Sequence, residues 1–263
     1  MFAIDQRVKP PGAGTTSGSA RPPTVRAASF NIHHGVGADG RLDLERTAAT
    51  AATGAELIGL QEVDRHFGAR SGFVDQAAWL GERLGREVVF GAAVDRPPPS
   101  PGAPRRQYGN ALLSAHPVLA WRNIPLPRPG RGEQRCLLDA LVDVDGTPVR
   151  VLTTHLQHDS RVDRTAQADA IVAHLDGIAR PVVLTGDLNA RPRAPEVRRL
   201  TAVLVDAWAT AGRGRGYTFD ARTPHARIDY VLSSPDLEAT RAEVTASLAS
   251  DHRPVTADLR PVP

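Results

Sequence analysis

Polar side chains that can bind metal ions or move protons stand at the ends of several short apolar runs in this chain. The runs at 25–32, 57–60, 149–154 and 182–185 each end in or lead into such residues, and another pair precedes the run at 255–259. The residues are Asn31, Glu62, His155, Asp187, Asn189, Asp251 and His252. Carboxylates, carboxamides and imidazoles without a thiolate suit Mg²⁺ or Mn²⁺ and phosphate chemistry better than structural zinc.

Each of these residues also has a structural explanation when it is taken alone. The two asparagines could bond to turn backbone, and Glu62 could be a solvated loop carboxylate. Asp187 could cap a helix, and the two histidines could be satisfied structural residues. All of these explanations would have to hold together, and so many coincidences at strand ends are a poor account of the pattern. Functional groups gather where loops leave rigid strands, and we predict a shared site there.

The elements that would position these side chains are predicted from the spacing of apolar residues. Short apolar runs indicate strands, and these are 25–32, 57–60, 111–114, 137–144, 149–154, 181–185, 228–232 and 255–259. Segments of helical period that end near a glycine indicate helices, and these are 42–53, 74–84 and 160–175, with a weaker one at 195–204. Because Asp145-Gly146 between two strands is a hairpin signal, a mixed sheet is expected.

Two segments are predicted to lie outside regular structure. Residues 1–23 are rich in Pro, Gly, Ser and Thr and are expected to be a disordered tail. The proline-rich stretch 95–106 is expected to be a long loop, because proline removes backbone donors and blocks helices. The remainder, 24–263, is predicted to be a single domain.

Composition excludes some classes of protein. The 263 residues carry a net charge of +3 from 32 basic and 29 acidic side chains, which permits a phosphate-bearing partner without requiring one. No run approaches the roughly 18–20 apolar residues of a membrane span, so an integral membrane protein is excluded. Cys136 is the only cysteine, which rules out an internal disulfide or a cysteine zinc site. With no apolar leader visible, a cytoplasmic location is expected.

Seven blocks resemble the endonuclease/exonuclease/phosphatase superfamily, whose members have the DNase I-like fold. They are SFNIHHG at 29–35, GLQEVD at 59–64, YGNALLS at 108–114, TTHL at 153–156, GDLNA at 186–190, RIDYVLS at 227–233 and SDH at 250–252. The blocks span nearly the whole chain beyond the tail. The resemblance implies an α/β fold, a four-layer sandwich of two packed mixed β-sheets flanked by helices. It also implies a site where loops of both halves meet at one edge.

The resemblance also implies roles for individual residues. Glu62 matches the main metal-binding glutamate, with Asn31 beside it and Asp251 completing the cluster for Mg²⁺ or Mn²⁺. Asp187 and Asn189 match the pair that positions the attacking water and the phosphate. The last three matches are His252, which faces the phosphoryl oxygens, its partner Asp229, and His155, which lies next to the leaving group. We expect Asp187 to accept the water's proton and Asp229 to keep His252 protonated.

One departure concerns the metal site. Some relatives carry an acidic residue two positions after the asparagine, where this chain has His33. An imidazole ligand would let Mn²⁺ compete better with Mg²⁺, and a bystander role for His33 is at least as compatible with the sequence.

The implied reaction is hydrolysis of a phosphodiester, with a nuclease as the first hypothesis. A small-molecule or lipid-headgroup phosphodiesterase or phosphatase is the alternative, and a non-catalytic nucleic-acid-binding scaffold is disfavoured because all the site residues are present. Candidate substrate contacts are Arg105, Arg106, Arg135, Arg164, Arg191, Arg193, Arg198, Arg199, Arg213, Arg215, Gln134, Tyr217 and Phe219. Solvated or structural roles compete for each of them. The oligomeric state is open, with a monomer expected.

Overall fold

Two mixed β-sheets of six strands each pack face to face in the computed structural model. The structure describes residues 24–179 and 181–262, so the predicted tail at 1–23 lies outside the described residues. The first sheet has the strand order β11-β12-β1-β2-β4-β3, and the second has the order β5-β6-β7-β8-β10-β9. In each sheet the two central strands are parallel and their outer neighbours are antiparallel to them.

The strand bounds are as follows. The first sheet contains β1 (Val25–Asn31), β2 (Leu57–Arg65), β3 (Glu87–Arg96), β4 (Arg106–Ser114), β11 (Leu237–Val244) and β12 (Val255–Pro261). The second contains β5 (Val118–Pro125), β6 (Cys136–Val144), β7 (Thr147–His155), β8 (Val182–Asp187), β9 (Val205–Asp206) and β10 (Asp229–Ser233). Asp145 and Gly146 both have positive φ in the turn between β6 and β7, as the predicted hairpin requires.

This topology collects the polar strand ends at one edge of the sandwich. In the second sheet His155 is the register partner of Asp187 across the parallel pair β7–β8, and Asp187 is the partner of Asp229 across β8–β10. In the first sheet β12 runs antiparallel to β1, so the segment before β12 lies beside the end of β1. The C-terminal ends of β1, β7 and β8 and the N-terminal ends of β10 and β12 therefore meet at this edge of the sandwich.

The two sheets share an apolar core, to which Leu57, Leu112, Leu138, Val151 and Leu259 belong. Nearer the polar edge the sheets approach more closely, and the contact becomes polar. Gly59 of β2 faces a pair of threonine hydroxyls, Thr153 and Thr185, which lie 3.0 Å apart. A Cβ on Gly59 would collide with the Thr185 hydroxyl, so glycine permits this close approach.

Four helices cover the outer faces of the sheets, and they are α1 (Leu44–Ala51), α2 (Gln76–Leu84), α3 (Arg161–Leu175) and α4 (Pro195–Thr201). The short α5 (Ala207–Ala211) instead packs against the core between the sheets. Side chains of Asp43, Asp75 and Ser160 cap the first three helices by accepting backbone hydrogen bonds. Separate apolar clusters lie under α1 and α2 on one side and under α3 and α4 on the other. The expected four-layer α/β sandwich is confirmed.

The apolar runs of the sequence predict eight of these strands and miss four. The missed strands are β3, β5, β9 and β11, which are the two edge strands of each sheet. Edge strands pair on one side only and expose more of their surface, so their apolar pattern is weak. The predicted loop at 95–106 is shorter than expected, because Asp95 and Arg96 end β3 and Arg106 begins β4. Among the described residues no helix is long and apolar enough to cross a membrane.

Candidate active site

A pocket of about 310 Å³ opens at the edge where the polar strand ends meet. Its walls come from both sheets and from the loops that follow their central strands. The lining residues are Glu62, Tyr108, Glu133, Arg135, His155, His158, Asp187, Asn189 and His252. Five of the predicted site residues are in this list. Of the other three, Asn31 and Asp229 lie directly behind the pocket wall, and Asp251 lies beside it.

Asn31 links the two sheets beneath the pocket. Its Nδ2 donates to Oε1 of Glu62 at 3.1 Å and to Oδ2 of Asp187 at 3.0 Å. Its Oδ1 accepts from the backbone N–H of His33 at 3.0 Å. The side chain is fully buried, so these bonds fix its orientation and use both amide hydrogens. Asn31 thereby holds two carboxylates from different sheets close together.

Glu62 reaches the pocket through an irregularity in β2. The register between β2 and β4 shifts between Leu60 and Val63, and Glu62 has φ of +59°. A left-handed backbone is costly for a glutamate and is commonly found where a bulge redirects a functional side chain. Burial opposes ionisation, but His34, Asn31 and the charge on His252 together hold the pKa of Glu62 well below its usual range. Glu62 is therefore an anion at neutral pH.

His252 stands between two buried aspartates. Its Nδ1 donates to Oδ2 of Asp229 at 2.9 Å, and its Nε2 lies 3.6 Å from Oδ2 of Asp187. Phe219 packs against the ring with centroids 4.9 Å apart. Burial would lower the pKa of His252, but the carboxylates of Asp229 and Asp187 outweigh it and raise the pKa to about 10. A pKa of about 10 makes the ring a doubly protonated donor at neutral pH.

The surroundings of Asp187 disfavour its charged form, because it is buried close to another carboxylate. Burial and the charge of Asp229 raise its pKa to about 7, although His252 and the Asn31 hydrogen bond act against this rise. Its Oδ1 accepts from the backbone N–H of Asn189 at 2.8 Å. A carboxylate whose pKa lies near neutrality suits a general base.

His155 is buried and is contacted on both ring nitrogens. The guanidinium of Arg135 lies 3.2 Å from Nδ1, and the side-chain nitrogen Nδ2 of Asn189 lies 2.9 Å from Nε2. Burial and the charge of Arg135 lower the pKa of His155 well below its usual value. Since a guanidinium has only donors, Nδ1 must accept a hydrogen bond from Arg135. His155 is therefore a neutral member of the site.

Arg135 occupies a buried position that the sequence does not predict. It was one of many arginines that could reach a phosphate, whereas the structure buries it to 3% exposure in the pocket wall. Its Nε donates to Oε1 of Gln157 at 3.1 Å, and NH1 lies 3.2 Å from Oε1 of the more exposed Glu133. The only sequence signal was its position just before an apolar run. Arg164 differs, because it is paired with the buried Glu196 at 2.7 Å.

Within residues 24–179 and 181–262, two groups of side chains have donor atoms close enough to hold a metal ion, within 4.8 Å of one another. One group is His33, His34 and Glu62, and the other is Asp187, Asp229 and His252. In the second group His252 already donates to Asp229, which makes it a proton donor. The anionic Glu62 fits a cation better, because it lies beside the buried Nδ1 of His34, which has no hydrogen-bond partner in the described part of the chain. Asp251 is half exposed and lies on the far side of His33, 3.7 Å from its Nδ1.

A four-layer sandwich with an aspartate–histidine–aspartate arrangement beside a glutamate–asparagine pair defines a phosphoesterase of the DNase I-like class. Residues 28–252 match the family described as the Endonuclease/Exonuclease/phosphatase family, and the chain belongs to this family. Its members are hydrolytic phosphoesterases and generally use a divalent metal ion.

Solved structures and a curated protein are similar to this chain. An endonuclease/exonuclease/phosphatase from Beutenbergia cavernae is 29% identical with a TM-score of 0.77, over 92% of this chain and 72% of that one. The Bacteroides thetaiotaomicron mannosyl-6-phosphatase Bt3783 is 18% identical with a TM-score of 0.71, over 89% and 99%, which is a likeness of fold. Protein cwh43 of Schizosaccharomyces pombe is 30% identical over 116 residues, which are 44% of this chain and only 11% of that protein.

Proposed function

We propose that this protein is a phosphodiester hydrolase that depends on Mg²⁺ or Mn²⁺, with nucleic acid as its first candidate substrate. The observation that carries the proposal is the position of His252 between Asp229 and Asp187 in the pocket that Glu62 also lines. One pocket thus combines three groups. Asp187 is a carboxylate with a pKa near neutrality, His252 is a positively charged hydrogen-bond donor, and Glu62 is an anion that can bind a metal ion.

These residues divide the reaction among them. Asp187 accepts a proton from water as the water oxygen attacks phosphorus, and the bond from phosphorus to the leaving oxygen breaks. His252 donates hydrogen bonds to the phosphoryl oxygens, whose charge grows in the transition state. Asn189 is expected to orient the water, and Asn31 holds Asp187 in place. A divalent ion held at Glu62 and Asn31, with Asp251 nearby, would offset the negative charge of the phosphate.

A stack of arginines and aromatic rings beside the pocket supports nucleic acid as the substrate. The Arg70 guanidinium lies 4.5 Å from the Phe67 ring and 5.3 Å from the ring of Tyr108, which lines the pocket. Arg70 is itself ion-paired with the buried Asp64 at 2.7 Å, so its role here is to stack and not to supply a free charge. The Arg96 guanidinium also lies over Phe67, 5.0 Å from the ring centroid. Arginine and aromatic side chains together contact phosphates and bases of single strands. Of the two aromatic residues that the sequence offered for stacking on bases, Tyr217 and Phe219, the second packs on His252.

A small phosphoester is the second candidate, because the pocket is small and nearby arginines are partly neutralised. A pocket of about 310 Å³ is at the lower end of ligand sites and holds little more than a phosphate with a short leaving group. Two members of the predicted basic groups are in surface ion pairs, Arg105 with Asp95 at 2.7 Å and Arg199 with Asp169 at 2.6 Å. Paired arginines neutralise fewer substrate phosphates.

The first experiment is nicking of supercoiled plasmid with Mg²⁺ or Mn²⁺, beside hydrolysis of bis(p-nitrophenyl) phosphate and p-nitrophenyl phosphate. His252→Asn is compared with His66→Asn, a histidine outside the pocket. Loss of the charged donor should reduce the rate roughly 10²–10³-fold, and the control should keep the wild-type rate. If the wild type and His66→Asn nick the plasmid and His252→Asn does not, the proposal that the protein is a nuclease is supported. Folded protein that cleaves only the small esters makes the nucleic-acid substrate wrong.

A metal-binding measurement separates this proposal from a non-catalytic scaffold. An intact site should raise the melting temperature with Mn²⁺, because a ligand at 100 times its Kd stabilises by about 2.7 kcal/mol. Glu62→Gln should remove the shift, whereas Glu45→Gln on the surface should retain it. No Mn²⁺ shift in the wild type would contradict the proposed metal dependence. The monomeric state and the cytoplasmic location stay predictions.

A further inference from the structure

Two adjacent histidines lie against Glu62 in the short turn that follows β1. One donor atom from each of His33, His34 and Glu62 lies within 4.8 Å of the others. The two rings are edge to face with centroids 4.5 Å apart. All three residues have a positive φ, at +46°, +44° and +59°. In the sequence only His33 was a candidate imidazole ligand, and the fold shows that His34 also lies close to Glu62.

His34 presents a nitrogen that the described part of the protein does not satisfy. Its Nδ1 is buried, accepts and donates no hydrogen bond there, and lies 3.9 Å from Oε2 of Glu62. The side chain as a whole is 13% exposed. A buried polar atom without a partner destabilises the fold unless something else binds it. A cation between this nitrogen and the Glu62 carboxylate would satisfy both groups.

A contact with the backbone determines which ring nitrogen of His33 carries the proton. Its Nδ1 lies 3.2 Å from the carbonyl oxygen of Val36, an atom that can only accept, so the proton resides on Nδ1. The other nitrogen, Nε2, is then free to bind a metal. A histidine ligand commonly donates its second N–H to a carbonyl in this way, which sets the tautomer and the ring orientation.

Gln76 holds the turn with the two histidines against the strand that carries Glu62. Its Nε2 donates to the carbonyl of His34 at 2.7 Å, and its Oε1 accepts from the backbone N–H of Asp64 at 2.9 Å. Gln76 is fully buried at the start of α2, so both bonds are shielded from water. The three donor residues are therefore positioned by the fold and do not depend on a bound ion to meet.

We propose that His33, His34 and Glu62 form a two-histidine, one-carboxylate site that binds Mn²⁺ and similar transition-metal ions through imidazole nitrogen, in preference to Mg²⁺. Imidazole is a good ligand for transition metals, whereas Mg²⁺ favours oxygen donors and retains its water. The proposal rests on the metal dependence proposed above and deepens it, because it assigns His34 as a ligand and predicts which ion the site selects.

The test is Mn²⁺ binding followed by electron paramagnetic resonance, which does not depend on activity. The wild type should show nitrogen modulation from coordinated imidazole in pulsed spectra. His34→Asn and His33→Asn should each weaken it, and titration should show Mn²⁺ Kd values raised by roughly 10–100-fold or more. His66→Asn is the matched control, because His66 also has a positive φ, of +53°, which asparagine tolerates.

The possible results are distinct. Nitrogen modulation that both variants reduce and His66→Asn retains supports the site, as does a Mg²⁺ Kd that His34→Asn leaves unchanged. Mn²⁺ bound without nitrogen modulation, or modulation unaffected by both variants, overturns it and leaves the proposed hydrolase intact. Imidazole-bound Mn²⁺ in a protein that cleaves no phosphoester would instead support this site and contradict the proposed function.

Discussion

Asn31 donates a hydrogen bond of 3.0 Å to Asp187, although the two residues end strands of different sheets and are 156 positions apart. The same amide also bonds to Glu62, so one side chain links the expected metal ligand to the expected base. The distance between these two carboxylates is thus set by a neutral group that can donate to both of them. An aspartate at this position could not replace it without adding a third negative charge.

We expect Asn31→Ala to reduce both activity and stability. Two buried carboxylates would lose a donor, which costs about 1–3 kcal/mol for each unsatisfied group. The readouts are urea unfolding and hydrolysis by folded protein. Asn123→Ala is the control, because Asn123 donates to the carbonyl of Ala92 at 2.7 Å across the two sheets and neither residue lines the pocket. Equal loss of activity in both variants would make the special role of Asn31 wrong.

Activity is expected to follow a bell-shaped pH profile. The base must be deprotonated, so kcat/KM should rise with pH through the pKa of Asp187, which burial and Asp229 raise to about 7. The donor must be protonated, so kcat/KM should fall above the pKa of His252, about 10, where Asp229 and Asp187 outweigh the effect of burial. A profile measured from pH 5 to 11 with a saturating metal ion tests this. A flat acid limb would exclude Asp187 as the base.

Asp229→Asn should move both limbs of that profile to lower pH. The His252 charge loses its partner, so the pKa of His252 falls, and the pKa of Asp187 falls because a neighbouring negative charge is removed. A surface variant, Asp169→Asn, should leave both limbs in place. If Asp229→Asn lowers the plateau without moving either limb, the charge of Asp229 is not what controls these groups.

Arg135→Met should raise the pKa of His155. The guanidinium lies 3.2 Å from Nδ1 and disfavours the charged ring, while burial, the larger cause, remains. The change in pKa can be followed by nuclear magnetic resonance titration of the histidine ring protons. Arg83→Met, at an exposed ion pair with Glu45, should not alter the titration of His155. An unchanged His155 pKa in Arg135→Met would mean that burial alone keeps the ring neutral.

Gly59→Ala should destabilise the protein by about 1–3 kcal/mol, as expected when a methyl group is forced into a packed core. The new Cβ would collide with the Thr185 hydroxyl and lie 2.8 Å from that of Thr153. Thermal unfolding should show partial recovery when Thr185→Ala is added. Gly68→Ala is the control, because its Cβ would meet nothing within 4 Å. Equal stability of the two alanine variants would mean that the sheets can separate at little cost.

The sequence by itself determined the inner strands and the helices α1 to α4, and it predicted which residues form the site. The eight strands with two neighbours carry clear apolar runs, because burial on both faces selects apolar residues over their length. Helix ends could be predicted because caps act locally, as Ser160 does at the start of α3 and Gly85 at the end of α2. The motif blocks indicated the family because strand ends hold functional side chains.

Only the tertiary structure decided which of these side chains meet, and in what state of charge. The contact of Asn31 with Asp187 and that of Arg135 with His155 join residues distant in sequence, so no local spacing encodes them. The buried state of Arg135 and the reach of His34 depend on how the sheets and loops pack. The raised pKa of Asp187 follows from its distance to Asp229 and its removal from water. Long-range packing sets both of these quantities, and local sequence does not.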